Sequence, residues 1–232
     1  MTWTDRIAFF APLDFAAVTL LILGWLLISW WIERPSQKNP SVSNLMAGYR
    51  REWMTQMVTR DPRIFDAQIL ASLRQGTAFF ASTSMIAIGG TLAMIGNGDK
   101  ISGIANDLIL ASDPAFVWEM KLIMIALFLT NAFLKFVWSN RLFGYTAVLV
   151  ASVPNDVSDP RALPRSQQAA EVSITAARGF NRGLRSVYFA LTTAAWLAGP
   201  VPLLCATVFT LGVIYRREFA SVSRRILMDT QA

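Results

Sequence analysis

Residues 15–32 read FAAVTLLILGWLLISWWI, eighteen residues without a charged side chain. The hydrocarbon core of a bilayer is about 30 Å thick, and roughly 20 helical residues cross it. Three further stretches have the same character, at 75–98, 122–140 (charged only at Lys135) and 186–215. Because lipid offers no hydrogen-bond partners, the backbone groups of such segments must be satisfied inside helices. The sequence therefore predicts an all-α fold, an integral membrane helical bundle with about four transmembrane helices.

The length of the chain, 232 residues, leaves room for one membrane domain and no separate soluble domain. We predict a single membrane domain over residues 1–232, with spans near 13–32, 76–96, 115–138 and 187–215.

Two connections carry the pattern of amphipathic helices that lie at a membrane surface. Over residues 42–58, apolar side chains recur on one helical stripe, and Arg50 and Arg51 lie beside it. We expect a cytoplasmic helix here, with the stripe facing lipid or the bundle and both arginines directed away. The stripe consists of Val42, Leu45, Tyr49, Trp53 and Met57. A shorter helix is predicted on the outer surface from Ile101, Ile104, Leu108 and Ile109.

The distribution of Lys and Arg predicts the orientation of the chain. The connections 33–74 and 141–185 contain seven and six of these residues, whereas the leading segment and the connection 99–115 contain one each. Cytoplasmic loops of membrane proteins are enriched in Lys and Arg. We therefore predict that the first and third connections are cytoplasmic and that the N-terminus faces outward.

The last apolar stretch leaves two topologies open. Gly199–Pro202 interrupts its middle, and an arginine-rich tail follows from Arg216. A single kinked helix would leave this tail outside, against the charge rule, whereas a re-entrant hairpin would return it to the cytoplasm. We predict the kinked span, which is the commoner structure, with its ends roughly 35–45 Å apart. In both topologies a bend is expected between about Leu197 and Leu203, because proline interrupts the helical hydrogen bonds.

The residue types that several chemistries require are missing. The chain has no His, and its one Cys, Cys205, lies within an apolar stretch. Haem b ligation, most zinc sites and histidine proton shuttles need imidazole, and no P-loop, G-x-S-x-G, H-E-x-x-H or C-x-x-C sequence occurs. We predict no catalytic residues, no metal and no cofactor. The net charge of +6 lies in the connections without a basic stripe interleaved with aromatic residues, so nucleic acid is not predicted as a partner.

Three polar side chains at or within the spans are candidates for a polar path or for pairing. Asn131 and Lys135 lie four residues apart, hence on one helix face, and an intramembrane ionisable residue is a functional candidate. Lys135 can instead snorkel to the cytoplasmic interface, and Asn131 can hydrogen-bond a neighbouring helix. Asp14 opens the first span, where capping of the helix N-terminus is favoured over ligand or proton binding.

Several runs of the chain resemble a known family. They are Tyr49–Met54, Arg60–Asp66, Gly76–Thr83, Lys135–Arg141 and Gly179–Arg185. Together they are similar to the bacterial membrane proteins grouped as the domain of unknown function numbered 599, over nearly the whole chain. The resemblance implies a multi-pass protein of the bacterial inner membrane, in which the outward-facing N-terminus is periplasmic. It implies no activity and supplies no catalytic residues.

Two functions are compatible with these patterns. The first is a non-enzymatic accessory or assembly component of a membrane complex, which binds anionic lipid headgroups on the cytoplasmic side, other membrane proteins or a second copy of itself. The second is a small oligomeric transporter or channel with a polar path near Asn131, Lys135 and the Gly199–Pro202 break. A membrane enzyme ranks third, because no nucleophile and base are visible together. The docking candidates are Arg and Trp residues in and beside the runs quoted above: Arg50, Arg51, Trp53, Arg60, Arg63, Trp138, Arg141, Arg182 and Arg185.

Overall fold

The computed structural model describes residues 9–97 and 114–229. Within these ranges the chain forms seven α-helices and one short 3-10 helix, with no β-strand, so the predicted all-α fold is confirmed. The outer helix predicted around 101–109 lies outside the described residues. The α-helices are α1 (Pro12–Glu33), α2 (Val42–Met57), α3 (Ile64–Ile95), α4 (Ala115–Ala151), α5 (Ala162–Ala194), α6 (Pro200–Phe219) and α7 (Val222–Asp229).

Three of these helices, α1, α3 and α4, are long and apolar enough to cross a membrane, with 22, 32 and 37 residues. At a rise of 1.5 Å per residue, α3 and α4 are about 48 and 55 Å long, which exceeds the hydrocarbon thickness. The predicted spans near 13–32, 76–96 and 115–138 lie in these helices to within one residue. The chain is thus a membrane protein whose longest helices extend beyond their predicted spans.

Residues 186–215 form a helical hairpin. The end of α5 passes through a 3-10 turn, and α6 begins at Pro200, directly after Gly199. Gly199 has a φ of 111°, a conformation that glycine adopts readily and other residues rarely do. The chain reverses its direction at this residue. Proline at the first helical position needs no N–H partner. Across the hairpin, the Oγ1 atoms of Thr192 and Thr210 lie 2.7 Å apart.

Residues beyond both ends of this run contact the same residue, Ser43. Asn181 Nδ2 donates to Ser43 Oγ at 3.3 Å, and Ser43 N donates to Glu218 Oε2 at 3.2 Å. The single kinked helix predicted for 187–215, with well-separated ends, is therefore wrong. The predicted bend is confirmed. The physical reason is Gly199, because proline alone kinks a helix, whereas a glycine with positive φ turns the chain back.

Contacts group the chain into two compact units. The first comprises the described residues 9–31, 83–97, 114–132 and 184–215, and the second comprises 32–82, 133–183 and 216–229. In the first unit, α1 packs closely on the hairpin, since a Cβ at Gly24 would lie 3.0 Å from the Leu211 side chain. The ring of Phe128 bridges those of Trp25 and Phe189, with centroid distances of 5.3 and 6.1 Å.

The second unit has its own apolar core. The rings of Phe80, Phe136 and Phe180 pack together with centroid distances of 5.4–5.5 Å. A Cβ at Gly183 would lie 2.6 Å from the Phe136 ring, so α5 approaches α4 at a distance that only glycine permits. The buried cluster contains Met54, Met57, Val58, Leu70, Leu142, Phe143, Val150, Val153, Ala162, Ala169, Ala170 and Ala176.

α2 occupies the predicted range to within one residue, but it buries a different face. Its N-cap is Ser41, whose Oγ accepts from Asn44 N. The buried side chains are Ala47, Met54 and Met57, and Arg50 lies on the same face and reaches inward. The prediction that Arg50 points away is therefore wrong. The stripe Val42, Leu45, Tyr49 and Trp53 is only partly buried, at the edge of that face, because α2 packs on α4 and α5 about a quarter turn from the stripe.

Candidate functional site

The second unit contains a cavity of about 360 Å³, a volume typical of small-molecule sites, which range over roughly 300–1,000 Å³. Residues from α2, α3, α4, α5 and α6 line it. Its polar lining consists of Ser43, Arg50, Ser72, Thr77, Arg178, Asn181, Arg217 and Glu218, and its larger apolar side chains are Val42, Met46, Leu73, Phe143, Ile174 and Phe180.

Several lining residues lie beside the ends of the apolar runs. Gly76 and Thr77 begin the second predicted span, and Phe143 follows the third. Asn181 precedes the hairpin run, and Glu218 follows it. The cavity is therefore expected where these helices leave the hydrocarbon layer, at the level of lipid headgroups.

Arg50 is a partly buried cation of the cavity. Its Nη1 donates to Ser173 Oγ at 3.0 Å, and its guanidinium carbon lies 5.9 Å from the centroid of the Phe143 ring. Desolvation by burial lowers the pKa of Arg50, because a low-dielectric environment disfavours the charged form. Among the described residues, no carboxylate forms an ion pair with it. The other guanidinium donors are thus available to an anion.

Glu218 is the buried carboxylate of the same cavity. It is 9 % exposed, and its Oε2 accepts from Ser43 N and Ser43 Oγ at 3.2 and 3.1 Å. Asn181 donates to the same hydroxyl. In the part of the chain that the structure describes, Glu218 has no cationic partner.

Two further arginines, Arg178 and Arg217, line the cavity and are exposed. Three guanidinium groups and one carboxylate therefore give the cavity an excess of two positive charges. Polar groups of both signs and apolar walls make it suited to an amphiphile that carries a phosphate or carboxylate.

Three of the predicted docking residues build the corner between α2 and α3. The carboxylate of Asp66, which is fully buried, accepts from Trp53 Nε1 at 2.7 Å and from Arg60 Nη1 at 2.5 Å. Arg63 donates to the carbonyl oxygens of Val153 and Pro154 at 2.6 and 2.8 Å, which fixes the loop after α4. The run Arg60–Asp66 thus has a structural role, and its binding role stays a prediction.

The remaining docking candidates also have polar contacts within the chain, except for Trp138, which is 51 % exposed and has no hydrogen bond to another described residue. The side-chain hydrogen bond to Glu171 raises the pKa of Arg51. The other partners are Glu33 for Arg182, Ser29 Oγ for Arg185 at 3.1 Å and Tyr145 Oη for Arg141 at 2.5 Å. Of the nine candidates, Arg50 alone lines the cavity.

The polar candidates in the spans do not converge on the cavity. Asn131 Nδ2 donates to Ser186 Oγ at 2.7 Å, an interhelical bond between α4 and α5. Lys135 is partly exposed and has no partner among the described side chains. Asp14 accepts from Ala11 N at 3.0 Å and from Trp196 Nε1 at 2.6 Å, so it ties the start of α1 to the hairpin turn.

Sequence reasoning missed most of the polar cavity residues: Ser43, Ser72, Thr77, Arg178, Asn181, Arg217 and Glu218. They come from four helices that are distant in sequence, and helical periodicity gives no signal for such a meeting. Thr77 and Asn181 lie in family-like runs. The charge rule was the other available signal, because it favoured a cytoplasmic tail.

In the described ranges, no three His, Cys, Asp or Glu side chains are arranged to hold a metal ion. Residues 16–223 match the model of a family described as a protein of unknown function, DUF599. No curated protein and no solved structure matches the chain significantly.

Proposed function

We propose that this chain, which belongs to the DUF599 family, is a non-enzymatic accessory or assembly component of a complex in the bacterial inner membrane. The observation that supports this most is the concentration of cations in one unit. The second unit holds 17 of the 21 Lys and Arg residues. They are Arg34, Lys38, Arg50, Arg51, Arg60, Arg63, Arg74, Lys135, Arg141, Arg161, Arg165, Arg178, Arg182, Arg216, Arg217, Arg224 and Arg225.

This charge distribution supports a cytoplasmic position for the second unit and a periplasmic N-terminus. The tail from Arg216 lies in the same unit as the two arginine-rich connections, so the hairpin removes the conflict with the charge rule. The cytoplasmic leaflet carries anionic lipids, and each nearby Lys or Arg contributes about 1 kcal/mol of attraction to it.

Exposed apolar side chains outside the predicted spans support the binding of a protein partner. Ile64 and Phe65, at the start of α3, are each 65 % exposed, and Val148, near the end of α4, is 69 % exposed. Large apolar groups that face neither lipid nor the core mark interaction surfaces when they cluster. The partner is another membrane protein or a second copy of this chain.

The transporter alternative has less support. The amide nitrogen of Asn131 donates to Ser186, and the Gly199–Pro202 segment forms a hairpin turn whose neighbour Trp196 donates to Asp14 at the start of α1. A substrate path would need a break in the middle of the bundle and polar groups free to line it.

In-membrane photo-crosslinking tests the accessory function. A photoreactive residue is placed at Phe65 or at Val148, with Leu191 as the control, because Leu191 is equally exposed at 69 % but lies in an apolar run. We expect discrete protein adducts in native membranes from the first two positions and none from Leu191. The proposal fails if neither cytoplasmic position gives a protein adduct, or if Leu191 gives the same ones.

A further inference from the structure

The cavity of the second unit contains a partly buried guanidinium, Arg50, and a buried carboxylate, Glu218, that do not pair with each other. Arg50 donates to Ser173, and Glu218 accepts from Ser43; among the described residues neither has an ion-pair partner. Burying an unpaired charge is costly, so such groups are normally compensated. A cavity that exposes one of each to the same space is complementary to a ligand that carries both signs.

We propose that this cavity binds the headgroup of a phosphatidylethanolamine, with the phosphate at Arg50 and the ammonium at Glu218. This assignment adds a specific lipid site to the accessory function and does not depend on the identity of any protein partner.

The chemistry of the two groups favours this headgroup over the other common ones. A guanidinium donates two parallel hydrogen bonds to phosphate oxygens, and Arg178, at the same cavity and without a described partner, adds a second cation. A primary ammonium has three donors for the Glu218 carboxylate. Phosphatidylglycerol would leave the charge of Glu218 without a counter-charge, and the quaternary ammonium of phosphatidylcholine has no N–H to donate.

The surroundings of the cavity also fit a lipid. Gly76 lies where the second predicted span begins, which is the expected depth of a headgroup. Met46, Ile174 and Phe180 supply an apolar wall along which the glycerol and the first methylenes of the chains can pack.

Native mass spectrometry of the full chain tests the assignment. The protein is purified in mild detergent, stripped of lipid and incubated with an equimolar mixture of phosphatidylethanolamine, phosphatidylglycerol and phosphatidylcholine that share the same acyl chains. We expect roughly tenfold more retained phosphatidylethanolamine than either competitor, the effect of one charge-assisted hydrogen bond. Equal retention of phosphatidylethanolamine and phosphatidylglycerol would overturn the assignment.

Two variants with matched controls locate the site. Glu218→Gln should remove the preference for phosphatidylethanolamine, whereas Glu171→Gln, at an exposed carboxylate outside the cavity, should keep it. Gly76→Leu should fill the cavity and abolish retention, because a Cβ at Gly76 meets no atom within 4 Å.

Gly89→Leu is the control for Gly76→Leu, since it changes the same helix at an equally open position away from the cavity. Both substitutions raise helix propensity, and the thermal unfolding temperature checks that each variant is folded. Wild-type retention by a folded Gly76→Leu variant would show that the lipid lies elsewhere and would overturn the site. The crosslinks from Phe65 and Val148 are read independently, so failure of this assignment is distinguishable from failure of the accessory function.

Discussion

Replacing Gly183 by alanine should destabilise the second unit, although alanine is the better helix former. The new Cβ would lie 2.6 Å from the Phe136 ring, and that ring packs on those of Phe80 and Phe180. Overpacking of this kind costs about 1–3 kcal/mol, against a gain of about 1 kcal/mol from removing a helical glycine. Gly179, one turn earlier, is the control, because a Cβ there would meet Ser139 Cβ at an ordinary 3.6 Å.

We expect the two alanine variants to differ in free energy of unfolding by about 1–3 kcal/mol, with Gly179→Ala the more stable. Unfolding in mixed detergent–SDS micelles, followed by tryptophan fluorescence, measures this difference. Phe136→Leu makes room beside Gly183, so the double variant should be more stable than the sum of the two single effects predicts. If Gly183→Ala is as stable as Gly179→Ala, the close approach of α4 and α5 is refuted.

Two further predictions concern the corner between α2 and α3 and the end of the chain. Asp66→Asn should lower the free energy of unfolding by roughly 2–3 kcal/mol, less than for a fully buried pair because Arg60 is 39 % exposed; an unchanged unfolding midpoint in SDS would contradict this. In a Cys205→Ser background, a cysteine in place of Ser221 should be protected from an impermeant thiol reagent in intact cells, while one in place of Asn97 is labelled. Labelling at position 221 would overturn the cytoplasmic tail.

Hydropathy predicted the three long helices because an uncharged apolar run of this length has no stable place in water. It could not distinguish one helix from two antiparallel halves over 186–215, since both have the same composition. The difference depends on the positive φ of Gly199. The arginine-rich tail favoured the hairpin, which is the arrangement that the structure has.

The cavity could not be predicted from the sequence, for a different reason. The face of α2 could not be assigned from periodicity, because apolar residues lie on two adjacent faces and Arg50 lies between Ala47 and Met54 on the buried one. From the sequence, Glu218 is one more charged residue of the tail. In the structure, the hairpin places it next to Ser43. The buried face of α2 and the location of Glu218 both depend on tertiary contacts between distant segments, which cannot be inferred from a single sequence.

The hydrogen bond between Ser43 and Glu218 also constrains biosynthesis. The two residues are 175 positions apart, and a ribosome that adds 5–20 residues per second needs roughly 10–35 seconds to cover that distance. During this time α2 has been synthesised but lacks its contact with α6, which contains Glu218. α1, which precedes α2, can already be inserted into the membrane. The hydroxyl of Tyr49 likewise donates to the carbonyl oxygen of Leu227, so this bond forms only after α7 has been synthesised. The second unit therefore closes only after α6 and α7 have been synthesised, and a nascent chain arrested before α6 would present the inner face of α2 to chaperones and proteases.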